Sequence, residues 1–144
     1  MKKNNGARVL IKFDTDSIRY TGLFESLTGV VVKDCMVNDD KIIFVVKEGQ
    51  AGMAIGKKGV NIKNLQEMLN KRVEIIEFNS NPLIFLNNIF RPLKISNAYL
   101  SEKNDEKKII KISFDRDKFK VRPKLRKAKF LVKKYFNIDD VIIS

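Results

Sequence analysis

The feature that most constrains the fold is a pair of glycines that enclose two lysines between two helical patterns, within residues 52–62. Gly56 and Gly59 flank Lys57 and Lys58, apolar residues precede them, and apolar residues recur behind them at helical spacing. The sequence therefore predicts a helix–loop–helix. Glycine in such a loop lets another backbone approach closely, and the amides and dipole at the start of the second helix favour an anion. We interpret the loop as a phosphate site.

Two common phosphate-binding motifs do not fit this loop. A P-loop places four residues between its first glycine and a Gly-Lys pair that is followed by Ser or Thr. Here three residues separate Gly52 from Gly56, and Lys58 takes the place of the hydroxyl. A dinucleotide-binding loop needs another glycine two residues before its Gly-x-x-Gly, and none is present.

Two interpretations of the loop remain. One is an ordinary glycine turn between two core helices, and the other is the Gly-x-x-Gly loop with which a KH domain holds a nucleic-acid backbone. Residues 48–62 closely resemble the KH signature. The two lysines inside the loop, the apolar helix on either side and the flanking β patterns favour the KH interpretation.

Composition narrows the class of protein. With 44% hydrophobic and 32% charged residues, the 144-residue chain is expected to be globular and to form one domain or two small ones. No apolar run is long enough to span a bilayer and no signal-peptide pattern is present, so we expect a cytoplasmic protein that does not bind membranes. The absence of histidine and the single cysteine argue against a zinc site, and the scattered acidic residues suit turns and helix ends. We expect no metal, no cofactor and no enzymatic activity.

The net charge of +12 favours a polyanionic partner, which could be RNA, DNA or an anionic membrane face. Its distribution is uneven. Residues 1–79 carry 13 Lys and Arg against 10 Asp and Glu, whereas residues 80–144 carry 16 against 7. The glycine loop and most of the excess charge therefore lie in different halves of the chain.

The hydrophobic pattern predicts the same order of elements twice: helix, strand, strand, helix, helix, strand. In the first half the predicted elements are a helix over 14–27, strands over 30–37 and 41–47, the two helices around the glycine loop, and a strand over 72–78. In the second half they are a helix over 83–90, strands over 93–100 and 107–114, a short element over 115–121, a helix over 124–136 and a strand over 138–143.

The repeated order matches a KH domain of the type II kind. We therefore predict an α+β fold of two tandem type II KH domains, each a three-stranded sheet packed by helices, over residues 1–79 and 80–144. The second unit has no glycine, because all seven glycines lie at or before Gly59. Where its loop would fall the chain reads Arg122-Pro123-Lys124-Leu125, or Pro123-Lys124-Leu125-Arg126 one residue on. Neither sequence allows the close backbone approach that glycine allows.

Ten basic residues lie between positions 116 and 134 with only Asp117 opposing them. A solvated helix face is one explanation, and an electrostatic track for an RNA backbone, which we favour, is the other. The predicted secondary basic surface consists of Arg116, Lys118, Lys120, Arg122, Lys124, Arg126 and Lys127.

Residues 18–29 and the stretch from Glu48 to Gly59 resemble the leading helix and the RNA-binding loop of the archaeal NusA-like transcription factors. The resemblance implies single-stranded RNA binding in transcription termination or antitermination and contact with RNA polymerase. We also expect a monomer. That family normally has a second Gly-x-x-Gly, which this chain lacks. The RNA-binding residues predicted for the first unit are Ile55, Gly56, Lys57, Lys58, Gly59, Asn61, Ile62, Lys63 and Arg72.

Two other functions share some of these features. Type II KH units also occur in RNA-binding proteins of ribosome assembly and translation, and every physical argument above applies to them equally. In a different class, the second unit could be a protein-interaction adaptor that docks an acidic partner. Salt dependence separates the adaptor from the RNA-binding functions, because an RNA complex weakens steeply as salt rises.

Overall fold

The computed structural model describes residues 15–102, 107–115 and 118–144. The chain divides into two compact units, Met1–Phe78 and Asn79–Ser144, which we call the first and second units. Each unit contains one three-stranded sheet and the helices that pack on it. The predicted α+β fold class is confirmed. No helix within the described ranges is long and apolar enough to cross a membrane.

The first unit follows the predicted order of elements with small differences at their ends. Its elements are α1 (Thr15–Thr28), β1 (Val32–Val37), β2 (Lys41–Val46), α2 (Ala51–Ile55), a 3₁₀ turn (Lys57–Gly59), α3 (Val60–Leu69) and β3 (Arg72–Glu77). Helix α1 ends at Gly29, whose φ of +75° is a conformation that glycine adopts without strain. The Thr28 hydroxyl donates to the Phe24 carbonyl at 2.8 Å and accepts from the Val30 amide, so it satisfies backbone groups at this helix end.

The first sheet has β2 at its centre, antiparallel to β1 and parallel to β3. Five of the six residues of β2 are buried, which explains its almost unbroken apolar sequence. A parallel pair of strands needs a long crossover connection, and α2, the glycine loop and α3 provide it. The glycine loop therefore belongs to the connection that completes the sheet.

The core of the first unit lies between this sheet and its helices. Phe24 of α1 stacks on Phe44 of β2 with ring centroids 4.2 Å apart, and both side chains are fully buried. Ala54 and Leu65 are equally buried, and they bring α2 and α3 onto the same cluster. Because residues on both sides of the glycine loop are anchored in the core, the loop is held between two fixed points.

The second unit contains α4 (Pro82–Phe90), β4 (Ile95–Glu102), β5 (Lys108–Phe114), α5 (Lys118–Phe136) and β6 (Asp140–Ile143). Asn81 caps α4, since its side-chain oxygen accepts the Leu83 amide at 2.9 Å. Strand β5 lies at the centre of the sheet, antiparallel to β4 and parallel to β6. The Phe85 ring lies 6.2 Å from the Tyr135 ring, which joins α4 to α5 in the core.

The prediction of two separate helical elements in the second unit is wrong. A single helix, α5, runs from Lys118 to Phe136 through Pro123. Proline lacks an N–H, so Pro123 cannot donate the usual hydrogen bond to the Phe119 carbonyl four residues before it. Val121 is 1% exposed, and its burial keeps the first turn of the helix on the core. The second unit therefore has a continuous helix where the first has a helix–loop–helix.

Candidate nucleic-acid interface

The glycine loop is a tight turn with most of its backbone fixed. Gly56 has φ +81° and ψ +164°, a combination that essentially only glycine adopts. Its amide donates to the Gly52 carbonyl at 3.0 Å, and the Gly59 amide donates to the Gly56 carbonyl at 2.9 Å. The Val60 amide donates to the Lys57 carbonyl, and Gly59 adopts the left-handed conformation. These hydrogen bonds give the loop a defined shape.

The two glycines are required for different reasons. A Cβ atom added to Gly56 would lie 2.8 Å from Cγ of Asn61, so the fold itself leaves no room there. A Cβ atom added to Gly59 would meet nothing within 4 Å, although φ of +75° disfavours other residues. Only Gly59 therefore faces open space into which another backbone can approach.

Asn61 has a structural role that sequence reasoning missed. Its side-chain Nδ2 donates to the Met53 carbonyl at 3.1 Å, so it joins the start of α3 to α2 across the loop. It was predicted as an RNA-binding residue, and the structure gives its amide an internal partner instead. The only sequence signal was a polar residue with a short side chain two positions after Gly59.

The charged residues of the loop and of its neighbours in the sequence are all positive. Lys57, Lys58 and Lys63 are all exposed, and none of them forms an ion pair with any residue that the structure describes. No acidic residue occurs between positions 49 and 66. Lys58 has φ +56° and ψ +25°, a left-handed conformation that costs a residue other than glycine about 1–2 kcal/mol. The site therefore combines fixed backbone, free ammonium groups and local strain.

Two of the apolar side chains near the loop, Ile55 and Ile62, are half-buried. Ile55 ends α2, and Ile62 packs against the core of the first unit while part of its surface stays accessible. Both were predicted as site residues, and the structure places them on either side of the loop. They offer a small apolar surface beside the lysines.

Arg72 is not brought to the loop. Its guanidinium lies 3.2 Å from Oδ2 of Asp40, at the first residue of β3. The opposite end of β3 is the one that meets the start of α2, where Glu77 accepts the Ala51 amide at 3.1 Å. A six-residue strand spans roughly 17 Å, so Arg72 and the start of α2 lie at opposite ends of it. Arg72 is therefore distant from the start of α2, and its contact with RNA stays a prediction.

In the second unit, α5 has nine basic and no acidic residues over its 19 positions. Ion pairs neutralise part of this charge at the C-terminal end of the helix. Lys129 lies 3.3 Å from Asp140, and Lys133 lies 2.8 Å from Asp139, whose pKa is lowered from its usual 3.8 mainly by the hydrogen bond from Lys133. The C-terminal half of the helix is therefore partly neutralised.

The N-terminal half of α5 keeps its charge. Within the described part of the chain, no ion pair involves the residues Lys120, Arg122, Lys124 and Arg126. Lys127 is only 4% exposed, so its place in the predicted basic surface is wrong. Arg116 lies outside the described residues, and only the backbone of Lys118 is described.

A groove with a volume of 780 Å³ runs between α5 and β6. Arg122, Arg126 and Lys129 line its helix side, with Leu125 between them, and the residues of β6 line the other side. Sequence reasoning missed this groove because β6 is short and lies far from Arg122 in the sequence. It adds an accessible apolar surface to the basic helix.

The comparisons with known proteins agree with this geometry. Residues 18–94, more than half of the chain, match the family model of the KH domain. This match covers the whole glycine loop and the sheet behind it. The chain belongs to the KH domain family.

Among proteins of that class, archaeal relatives are similar over most of this chain. Those from Methanocaldococcus jannaschii (35% identical over 120 residues) and Methanococcus vannielii (36% over 118) are named probable transcription termination protein NusA. The matches cover 83% and 82% of this chain and 61% and 64% of those proteins, so the chain spans about three fifths of their length. The Thermoplasma acidophilum protein of the same name is 26% identical, and the match covers 93% of this chain and 96% of that one.

A solved structure is also similar. The crystal structure of APE1850 matches with a TM-score of 0.72 and 32% identity, covering 92% of this chain and all of that one. These relatives confirm the predicted resemblance to the archaeal NusA-like family.

Proposed function

We propose that this chain is a single-stranded RNA-binding factor that acts in transcription termination or antitermination, through binding rather than catalysis. The observation that carries the proposal is the loop from Gly56 to Gly59, which has a defined backbone shape, an open side at Gly59 and two exposed lysines that form no ion pair with described residues. The names of the archaeal relatives support the link to transcription. Contact with RNA polymerase is part of the proposal.

RNA binds with one phosphate at this loop. The amides of Gly56, Gly59 and Val60 are already used within the loop, so the phosphate meets the backbone and ammonium groups of Lys57 and Lys58. About four nucleotides extend from there, as is usual for a KH loop. The accessible surfaces of Ile55 and Ile62 contact the neighbouring bases, and Lys63 adds positive charge one turn into α3.

The second unit, residues 80–144, acts as a degenerate KH domain. It has no glycine loop to hold a phosphate, but four cations of α5 (Lys120, Arg122, Lys124 and Arg126) are exposed or half-buried without ion pairs to described residues. They contact the RNA backbone without reading its sequence. Because both units belong to one chain, this second contact raises overall affinity through effective concentration.

The test is RNA binding by a variant in which only the charge of the loop changes. Lys57→Asp with Lys58→Asp keeps both glycines, and aspartate tolerates the left-handed conformation at position 58 better than most residues. A matched control, Arg19→Asp with Lys47→Asp, makes the same charge change at two other exposed positions of the first unit. Anisotropy with labelled single-stranded RNA at two salt concentrations measures the affinity and its salt dependence.

We expect the loop variant to lose most of its affinity and the control to keep it. If both variants bind RNA equally and with the same salt sensitivity, the binding site lies on α5 and not at the loop. Failure of the wild type to bind RNA would refute RNA binding and favour the adaptor function. Copurification with RNA polymerase would support a function in transcription. Copurification with ribosomal subunits would instead support a function in ribosome assembly or translation.

A further inference from the structure

Helix α5 exposes an aromatic ring that the fold does not use. Phe119 is 94% exposed, and its ring makes no contact with another described ring or cation. A buried phenylalanine would stabilise a domain of this size substantially, so this one contributes little to folding. Its position in the first turn of the most basic helix of the chain points to a ligand.

A second aromatic ring lies on the same face of the helix. Phe130 is 36% exposed and follows Phe119 by 11 positions, which is three helical turns plus about 20°. The two rings are therefore on one side of α5 and roughly 16 Å apart along its axis. Arg122 and Arg126 lie between them, one and two turns after Phe119, and both are exposed.

We propose that Phe119, Arg122, Arg126 and Phe130 form a base-stacking face that binds two unpaired bases of single-stranded RNA. The inference rests on the proposed function and adds to it two aromatic contacts, at Phe119 and Phe130, which lie outside the glycine loop and do not line the α5–β6 groove. Each ring stacks on one base, and the arginines between them contact the intervening phosphates. Stacked neighbouring bases are about 3.4 Å apart, so the two rings hold bases separated by several nucleotides.

The positive charge of α5 favours single-stranded nucleic acid as the ligand of this face. A protein partner that covered the rings would also have to bury or pair the two arginines, and the apolar surface between the rings is interrupted by them. Single-stranded nucleic acid offers a π face at every base and a negative charge at every phosphate, so it matches two rings with two cations between them along one line. Stacking of this kind tolerates any base, and the face therefore adds affinity with little sequence preference.

The chain has no tryptophan, so a single substitution supplies a specific reporter. Phe119→Trp places an indole on the face, and Tyr99→Trp, at a side chain 50% exposed on β4, is the matched control. We expect a ten-nucleotide oligouridine to quench the emission of the first variant and to leave that of the second unchanged. Anisotropy shows the RNA concentration at which the first variant is saturated. If its tryptophan emission is unchanged at that concentration, the proposal is overturned.

A second comparison separates stacking from charge. Phe119→Leu removes the ring but keeps an apolar side chain and every cation, and it should weaken oligouridine binding at least about fivefold. Binding of an abasic oligonucleotide of the same length, and the salt dependence of both complexes, should not change. Equal losses with and without bases would contradict stacking while leaving the proposed function intact. If the wild type binds neither oligonucleotide, both the stacking face and the proposed function fail.

Discussion

Replacing Gly56 by alanine should destabilise the first unit more than the same replacement at Gly59. The added methyl group at Gly56 would lie 2.8 Å from Cγ and 2.9 Å from Nδ2 of Asn61, in a backbone conformation that essentially only glycine adopts. At Gly59 the methyl group meets nothing within 4 Å and only the left-handed conformation opposes it. The two substitutions are otherwise identical, so each is the control for the other.

The difference can be assessed from these contacts. The backbone conformation of Gly56 costs alanine about 1–3 kcal/mol. The clash displaces Asn61 and breaks its hydrogen bond to Met53, which contributes roughly 1 kcal/mol more. We therefore expect Gly56→Ala to lower the free energy of unfolding by about 2–4 kcal/mol and Gly59→Ala by about 1–2 kcal/mol.

Urea unfolding followed by circular dichroism measures both values. A double-mutant cycle adds Asn61→Ala, which removes the two side-chain contacts but leaves the 3.1 Å approach to the Asn61 backbone nitrogen and the backbone strain. In that background Gly56→Ala should cost about 1 kcal/mol less. Equal costs at the two glycines, or no coupling between Gly56 and Asn61, would refute the argument that Asn61 fixes the loop.

Three further predictions follow from the core and from α5. Phe44→Ala should lower the free energy of unfolding by about 3–5 kcal/mol in urea, because it removes a fully buried ring stacked on Phe24. Arg122→Glu with Arg126→Glu should reduce the slope of log K against log salt for single-stranded RNA by about 1.4, the value for two lost phosphate contacts, in anisotropy titrations. The pKa of Asp139 is lowered in the folded state, so its carboxylate stabilises the fold above the usual pKa of 3.8 and less as pH falls through the folded-state value. The urea midpoints of the wild type and of Asp139→Asn should therefore differ at neutral pH and coincide in strong acid.

Each of these predictions has a matched comparison. Val31→Ala, at a side chain 62% exposed, should leave stability almost unchanged where Phe44→Ala does not. Lys129→Glu with Lys133→Glu makes the same charge change as the arginine variant at lysines already paired with aspartates, and a similar loss of salt dependence would contradict the division of charge along α5. A pH-independent difference at Asp139 would show that its hydrogen bond to Lys133 does not depend on ionisation.

The first unit could be predicted almost completely from its sequence because its signals are local. The β-branched run of β2, the apolar spacing of α3 and the glycines at the loop each specify one conformation without reference to distant residues. Helix α5 could not be predicted as one element, because Pro123 favours a break locally. The burial of Val121, which depends on the rest of the second unit, decides otherwise.

The side-chain partners within the candidate site could not be predicted, because they are not local in the sequence. Asn61 and Arg72 looked equally suited to RNA, yet one bonds to Met53 and the other to Asp40. Lys127 follows the same basic pattern as its neighbours, but it directly precedes the fully buried Ala128 and lies four residues before buried Leu131, at the edge of the buried face of α5. A basic residue can bury its aliphatic stem there, which a count of charges does not detect.

The position of the glycine loop on the crossover between β2 and β3 links binding to folding. In a parallel pair, the second strand can pair with the first only after the crossover has brought the chain back to the start of the first strand. The contacts between β2 and β3, which are distant in sequence, therefore form together with the glycine loop. Local opening of α2 or α3 would release β3 from the edge of the sheet, and a ligand that holds the loop opposes this opening by mass action. The amides of β3 should thus become slower to exchange with solvent when the loop is occupied, although none of them needs to touch the ligand.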